Sequence, residues 1–301
     1  MLPSSVLHPA WAVPAPAIMT DGYSLEITAK DVAALRAAAP AIAPGTPVAI
    51  TFLPGETMDA RIAAAIAVRE LGFEPMPHLS ARRIATQEEL EAIVARATAE
   101  AGAERMFLVA GDPPVPVGPF ADTLSLLKTG LFERHGIKAI GIAGHPDGHP
   151  AMDTAALWQA LDAKRSAIAA RGMAPLIVTQ FGFDAAPFLY WLRELRARGI
   201  DSPVRIGVPG PAGIKTLLRF AAHCGVGASA NVMAKYGVSL TKLLGTAGPD
   251  KLVDDLARGI GPEHGAVRLH FYPFGGLART VDWIGDYDKA RASWTLGRIM
   301  A

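Results

Sequence analysis

The feature that most constrains this chain is a regular alternation of short apolar runs with helical stretches. Eight runs read as strands: Tyr23–Thr28, Pro47–Phe52, Phe73–Leu79, Met106–Ala110, Lys138–Ile142, Pro175–Phe181, Val204–Val208 and Val267–Phe271. Between them lie helical patterns over Val32–Ala39, Met58–Leu71, Thr86–Glu100, Asp122–Arg134, Asp153–Arg171, Ala186–Arg198 and Ile214–Gly225. Further helical segments run through Arg258, and a helical tail holds Trp283 and Trp294. Asp31 reads as the cap of the first helix, and Thr86 with Glu89 as a capping box. A helix after each strand carries the chain back, so the strands must run parallel. Eight such units in about 270 residues predict an α/β fold, a single-domain (β/α)₈ TIM barrel. The rival is a doubly wound open sheet, but no Gly-x-Gly-x-x-Gly follows the first strand.

Composition narrows the function. The chain has 301 residues, 50% of them hydrophobic, enough for one large core or two ordinary ones. Its net charge is +1 and no basic run stands out, which argues against a nucleic-acid partner. Cys224 is the single cysteine, so an intramolecular disulfide and a cysteine-based metal cluster are excluded. No apolar run approaches the roughly 20 residues of a membrane span. Residues 1–21, rich in Pro and Ala, lack the basic start and apolar core of a signal peptide. They read as an irregular arm before a barrel-and-tail unit over 22–301, in a cytoplasmic protein.

In a barrel the strand exits converge on one face, and that face carries the site. The stretch Met106–Pro114 shows the pattern: a buried strand, then Gly111 to turn, then Asp112, then two prolines that forbid a helix or further pairing. Asp before Pro also fits a simple turn starter. The pattern recurs, however, and the exits give Glu26, Thr51, His78, Asp112, His145, Gln180 and Pro209. Glu26 alternates with Leu25 and Ile27, so its side chain faces either solvent or the barrel interior. Burial would raise a carboxyl pKa and suit it for acid catalysis. The loop His145-Pro146-Asp147-Gly148-His149 invites a metal reading, but it is rigid and no third-ligand pattern lies nearby, so no metal is expected. A Gln180 amide at the end of an apolar strand needs partners, which a heterocyclic ligand edge or the backbone can supply. No exit offers a Lys for a Schiff base, and no Cys or Ser nucleophile stands beside an exit His except Ser80. Two carboxylates, Glu26 and Asp112, with hydrogen-bonding groups around them suit acid–base work on a bound heterocycle or a cofactor reaction.

Five segments then carry a resemblance. Pro77-His78-Leu79-Ser80, Ala110-Gly111-Asp112-Pro113-Pro114, His145 through Pro150, Val178 through Asp184, and Leu269-His270-Phe271-Tyr272 resemble the signature segments of the methylenetetrahydrofolate reductase family, in the family's order. The resemblance spans roughly Tyr23 to Tyr272 and is closest to the short bacterial form, without the eukaryotic regulatory domain. It implies reduction of 5,10-methylenetetrahydrofolate to 5-methyltetrahydrofolate by NADH or NADPH through FAD. It implies a small-molecule folate substrate and is compatible with a homo-oligomer. Glu26 matches the acid that protonates the folate N10, and Asp112 the acid near flavin and pterin. Gln180 matches the pterin-binding Gln, and the resemblance also points Thr216 and Arg279 at the substrate. Thr51, His78, Ala110, Gly111, Asp112, His145, His149, Asp162 and Arg165 fall on cofactor positions.

The departures from the family pattern cluster at the flavin phosphates. Ala110 stands where the family usually has Arg, His145 where it has Tyr, and Ser166 where a phosphate-contacting Lys is common. Gly275-Gly276 replaces Asn-Arg after the last strand, leaving Arg279 as the substitute for the folate tail, and Ile27-Thr28-Ala29 lacks the usual aromatic and proline. Losing two charge-assisted hydrogen bonds of about 1.5–3 kcal/mol each weakens FAD on the order of 10²-fold or more. The expectation is a flavin bound weakly or not at all, with hydride passed directly from NAD(P)H. Two alternatives remain: a folate-binding or folate-dependent transfer barrel without reductase activity, and an unrelated barrel lyase or sugar-phosphate enzyme using the glycines of 207–213 and 275–276.

Overall fold

The computed structural model describes residues 18–53, 55–223 and 246–299. Most of the expected arm, Cys224 and the expected helical segments over 224–245 lie outside the described residues. The eight barrel strands are β1 (Ser24–Ile27), β2 (Pro47–Ile50), β3 (Glu74–Ser80), β4 (Arg105–Val109), β5 (Ala139–Gly144), β6 (Ala174–Phe181), β7 (Val204–Pro209) and β10 (Val267–Tyr272). A two-stranded antiparallel ribbon, β8 (Ala212–Gly213) with β9 (Thr246–Ala247), lies between the last two in sequence. The eight strands close in the order β1-β10-β7-β6-β5-β4-β3-β2, every pair parallel. The chain is a closed (β/α)₈ barrel.

Each strand sorts its side chains by the period of two. Leu25, Ile27, Val48, Ile50, Met106, Leu108, Val204, Ile206, Val208, Leu269 and Phe271 point outward and join the main core under the helices. Ala49, Met76, Phe107 and Val178 form a separate apolar cluster, which is the filling of the barrel. Fully burying one Leu or Phe stabilises by about 1.5–3 kcal/mol, so the outward face of the sheet and the helices hold each other in place. The helices are α1 (Val32–Ala38), α2 (Met58–Glu70), α3 (Gln87–Ala101), α4 (Thr123–Leu127), α5 (Leu131–Arg134), α6 (Thr154–Ala169), α7 (Ala185–Ala197) and α8 (Ile214–His223). Two more cover Asp250–Gly259 and Leu277–Ile299. The last packs on α1 and sets Trp283 against Phe271, ring centroids 5.8 Å apart.

Three local expectations change. The helix expected over Asp122–Arg134 is two short ones, because Gly130 at φ +69° breaks the run and starts the second. Asp31 does not cap α1 with its side chain. It closes a capping box with Thr28 around a 3₁₀ turn over Ala29–Asp31, its carboxylate accepting from the Thr28 backbone N at 2.7 Å. The helix after β3 takes Thr86 as its cap, Oγ1 accepting from Glu89 N at 3.1 Å, but the expected box does not close, because the Glu89 carboxylate accepts from Ala85 N at 2.7 Å instead.

Candidate active site

At the carboxyl end of the barrel the inward positions turn from apolar to polar. Ser24 and Glu26 share the inner face of β1, because Leu25 and Ile27 between and beyond them belong to the outer core. By the same alternation His78 faces inward from β3, Gln180 from β6, and His270 and Tyr272 from β10. Glu26, whose side chain is 18% exposed, sits between two imidazoles: its Oε2 is 3.8 Å from His78 Nε2 and 3.7 Å from His270 Nε2. Both separations exceed hydrogen-bond length, as catalytic contacts often do before a ligand closes the site.

The two histidines are held differently. His270 is 1% exposed, and its Nδ1 lies 2.8 Å from Ser24 Oγ. When the Ser24 hydroxyl donates to Nδ1, a neutral His270 carries its proton on Nε2, toward Glu26. His78 lies tilted on the Phe107 ring, centroids 4.6 Å apart. Burial pushes the His78 imidazole down to about 4, against the pull of Glu26 and aided by His270. At pH 7 His78 is therefore neutral and faces Glu26 as a hydrogen-bonding group rather than a counter-ion.

β6 contributes through an irregularity. Its register with β7 shifts between Val178 and Phe181. Thr179 fixes the shift: Gly207 N donates to Thr179 Oγ1 at 2.9 Å, and Tyr272 OH donates to the Thr179 carbonyl at 3.0 Å. The bulge presents Gln180, whose buried Nε2 has no hydrogen-bond partner among the described residues. A buried amide donor left unpaired is costly, and a ligand acceptor would satisfy it. Beside it stands an aromatic wall of Phe181, Tyr272, Phe274 and Phe220, with Phe220 and Phe274 stacked at 4.1 Å. A flat heterocycle fits such a wall, with its edge toward Gln180.

Other sequence-derived candidates lie elsewhere. Thr51 follows β2 with its N bonded to the Ile27 carbonyl at 2.8 Å, at the rim. Asp112 is 88% exposed and 3.7 Å from Arg83 Nη2, outside the Glu26 group. Arg83 in turn lies over the Phe52 ring at 5.0 Å. Gly111 turns the chain at φ +93°, and a Cβ there would come 3.1 Å from Ser80 Cβ. Ala110 accepts a hydrogen bond from Arg82 N through its backbone at 2.9 Å.

His145 lines a cavity of about 400 Å³ between α6 and α7, with Lys164 and the stacked pair Trp158–Trp191. Burial, then the charge of Lys164 and then His149, pushes His145 down to about 4. The exposed His149 is 5.3 Å from His145, ring to ring. Asp162 and Arg165 pair with each other at 2.8 Å on α6. Thr216 is half-buried on α8, and Arg279 is exposed near the start of the last helix. Among the described residues no group of three or more His, Cys, Asp or Glu is placed to hold a metal. Also among the described residues, no helix is long and apolar enough to cross a membrane.

The candidates derived from sequence omitted Ser24, His270 and Tyr272. The signal was present: Val-Arg-Leu-His-Phe-Tyr over 267–272 alternates, so its polar residues share one face. The same alternation, read at strand starts rather than exits, places Arg105, Arg205 and Arg268 inward.

Comparison with known proteins gives these findings. The family model described as Methylenetetrahydrofolate reductase matches residues 43–273. A Saccharomyces cerevisiae protein named Methylenetetrahydrofolate reductase 2 is 32% identical over 127 residues, 40% of this chain. That match spans only 20% of the yeast protein. Among solved structures, a Clostridium thermocellum protein superposes with a TM-score of 0.60 at 13% identity, covering 89% of this chain and 94% of that one. It is described as an uncharacterized protein that binds two copies of 5-methyl-5,6,7,8-tetrahydrofolic acid. At that identity the likeness concerns the fold.

Proposed function

The chain belongs to the methylenetetrahydrofolate reductase family, and on that premise we propose that it reduces 5,10-methylenetetrahydrofolate to 5-methyltetrahydrofolate with NADH or NADPH. The observation that carries this reading is Glu26, set between His78 and His270 beside an aromatic wall and a Gln180 donor that finds no partner among the described residues. In the proposed reaction the pterin lies on that wall and its edge accepts from Gln180 Nε2. Glu26 delivers a proton to N10, the bond from N10 to the bridging methylene breaks, and an iminium forms at N5. Hydride from the nicotinamide then reduces that carbon, which stays on N5 as the methyl group. His270, steadied by Ser24, orients the Glu26 carboxyl, and solvent reaching that partly exposed carboxyl restores the proton that N10 takes. Asp112, open at the rim, is assigned to the outer part of the bound ligands.

FAD, when bound, would relay the hydride between nicotinamide and folate. The residues matched to its phosphates fit it poorly. Ala110 brings no cation, His145 is neutral at pH 7, and Arg165 is committed to Asp162. Lys164, half-buried beside His145 and itself lowered by burial, faces that cavity, with Arg198 also in its lining. The proposal is therefore weak flavin binding or none, with direct transfer from NAD(P)H. Purified protein should lack a stoichiometric absorbance band near 450 nm, and a full-strength band would reject direct transfer while leaving the reductase reading intact.

A Glu26→Gln variant tests the reading itself. Folate-dependent NAD(P)H oxidation should fall by about 10²–10⁴, the range for losing a general acid, while folate binding by calorimetry persists. Unchanged turnover would remove Glu26 from the mechanism. The exposure of Asp112 favours one alternative, a barrel that binds the folate without reducing it. That alternative predicts no NAD(P)H oxidation on adding methylenetetrahydrofolate to the wild-type protein.

A further inference from the structure

The cavity of about 400 Å³ between α6 and α7 shares no lining residue with the Glu26 group. Asp162 and Arg165, paired with each other on α6, are outside its lining as well. Two indoles give it a rigid apolar side. Gly144 ends β5 without a side chain, so the Trp191 ring packs directly on the strand; a Cβ there would come 3.0 Å from Trp191 Cη2. Trp158 stacks on Trp191 with centroids 5.5 Å apart, and the Arg198 guanidinium lies over the Trp158 ring at 4.5 Å. The rim is apolar too. Among the described residues the large hydrophobic side chains left exposed are Val115, Val117, Met152 and Tyr190. Met152 and Tyr190, 39% and 62% exposed, both border this cavity. Single exposed apolar residues need no explanation, but two converging on one concave site mark a place where a ligand is covered.

The charged residues of the lining are Lys164, Glu194 and Arg198. Glu194 and Arg198 stand 4.0 Å apart and offset each other. Lys164 has no carboxylate within ion-pair distance among the described residues. The acid that acts on it is Asp122, which lies outside the lining and accepts from Ser125 N at 2.8 Å as the cap of α4. His145, neutral at pH 7, brings no charge, but its ring nitrogens donate and accept hydrogen bonds. Burial disfavours the Lys164 ammonium, and an anion that reaches it inside the cavity would offset that cost. The volume falls in the range of about 300–1,000 Å³ that small-molecule sites occupy. An apolar body with one anionic group matches these walls.

We propose that this cavity binds a small aromatic carboxylate, its anionic group on Lys164 and its ring against Trp158, Met152 and Tyr190. The site does not rest on the reductase reading. The probe is 2-naphthoate, with 2-naphthylmethanol as its uncharged analogue and acetate as its ringless one. Calorimetry should give a one-site isotherm for 2-naphthoate and binding weaker by about tenfold or more for each analogue, the scale of one charge-assisted hydrogen bond. Lys164→Met keeps most of the apolar stem and removes the charge. It should weaken 2-naphthoate by about the same factor and leave 2-naphthylmethanol unchanged. Tyr190→Ser alters an exposed side chain, so the fold is kept while 2-naphthoate binding falls several-fold. Glu26→Gln should bind 2-naphthoate as wild type does. Equal binding of 2-naphthoate and 2-naphthylmethanol by the wild-type protein would overturn the proposal, as would Lys164→Met or Tyr190→Ser binding 2-naphthoate unchanged. Loss of 2-naphthoate binding in Glu26→Gln would place the ligand at the strand exits and overturn it too.

Discussion

Inside the barrel, the His78 imidazole shows what enclosure does to one side chain. Its ring rests on Phe107, its Nε2 faces Glu26, and its pKa falls from 6.5 to about 4 chiefly through burial. The sign of the stability effect follows. Between pH 6.5 and 4 the unfolded chain binds a proton that the folded chain does not, so stability rises with pH across that window. The contribution is complete above pH 6.5 and is lost as the pH falls to 4, by about 3 kcal/mol. Urea unfolding at pH 7 and pH 4.5 should show a loss in wild type that is clearly smaller in His78→Gln; equal losses would show that His78 is not the group responsible. His145, also pushed down to about 4, shares the direction. The sequence marks His78 as an exit residue, but the fall in its pKa comes from burial, with Phe107 against its ring, and from His270, which other strands deliver.

At the scale of elements, β6 and β7 decide where Gln180 points. The bulge between Val178 and Phe181 lets the chain carry Gln180 inward, and Gly207 on β7 leaves the space for it. A Cβ at Gly207 would come 2.6 Å from the Gln180 carbonyl oxygen and 2.7 Å from that of Thr179. Those are backbone atoms, so β6 itself must move. Gly207→Ala should destabilise by about 1–3 kcal/mol, as overpacking does, and should weaken folate binding as Gln180 shifts. Gly213→Ala, with nothing within 4 Å of its Cβ, is the control and should change neither. Melting curves and folate calorimetry on the two variants check this; equal behaviour would mean the bulge does not position Gln180. The strand over Pro175–Phe181 was legible from composition, but the bulge was not. A one-residue register shift changes no local hydrophobic pattern enough to be seen; it is fixed by hydrogen bonds from β7 and β10.

For the whole molecule, closure is the decisive act, and four residues perform it. β1 joins β10 through Ser24 and Leu25, and β2 through Leu25, Glu26 and Ile27. Removing residues 1–27 leaves β2 and β10 as unpaired edges, which recruit other chains. The truncated protein should elute as aggregates and lose a single cooperative urea transition. A monodisperse, cooperative truncation would show that β1 is dispensable for the fold. The sequence by itself determined the number of barrel strands, their parallel run and which residues of a strand share a face, because those depend on a period of two and on helices that return the chain. It therefore placed Glu26, His78 and Gln180 at strand exits. Only the tertiary structure decided that Glu26 meets His78 and His270, that Asp112 turns to solvent against Arg83, and that three arginines gather in the floor. Those meetings join strands far apart in the chain. They are set by ring closure and strand register, which local patterns along the chain do not encode.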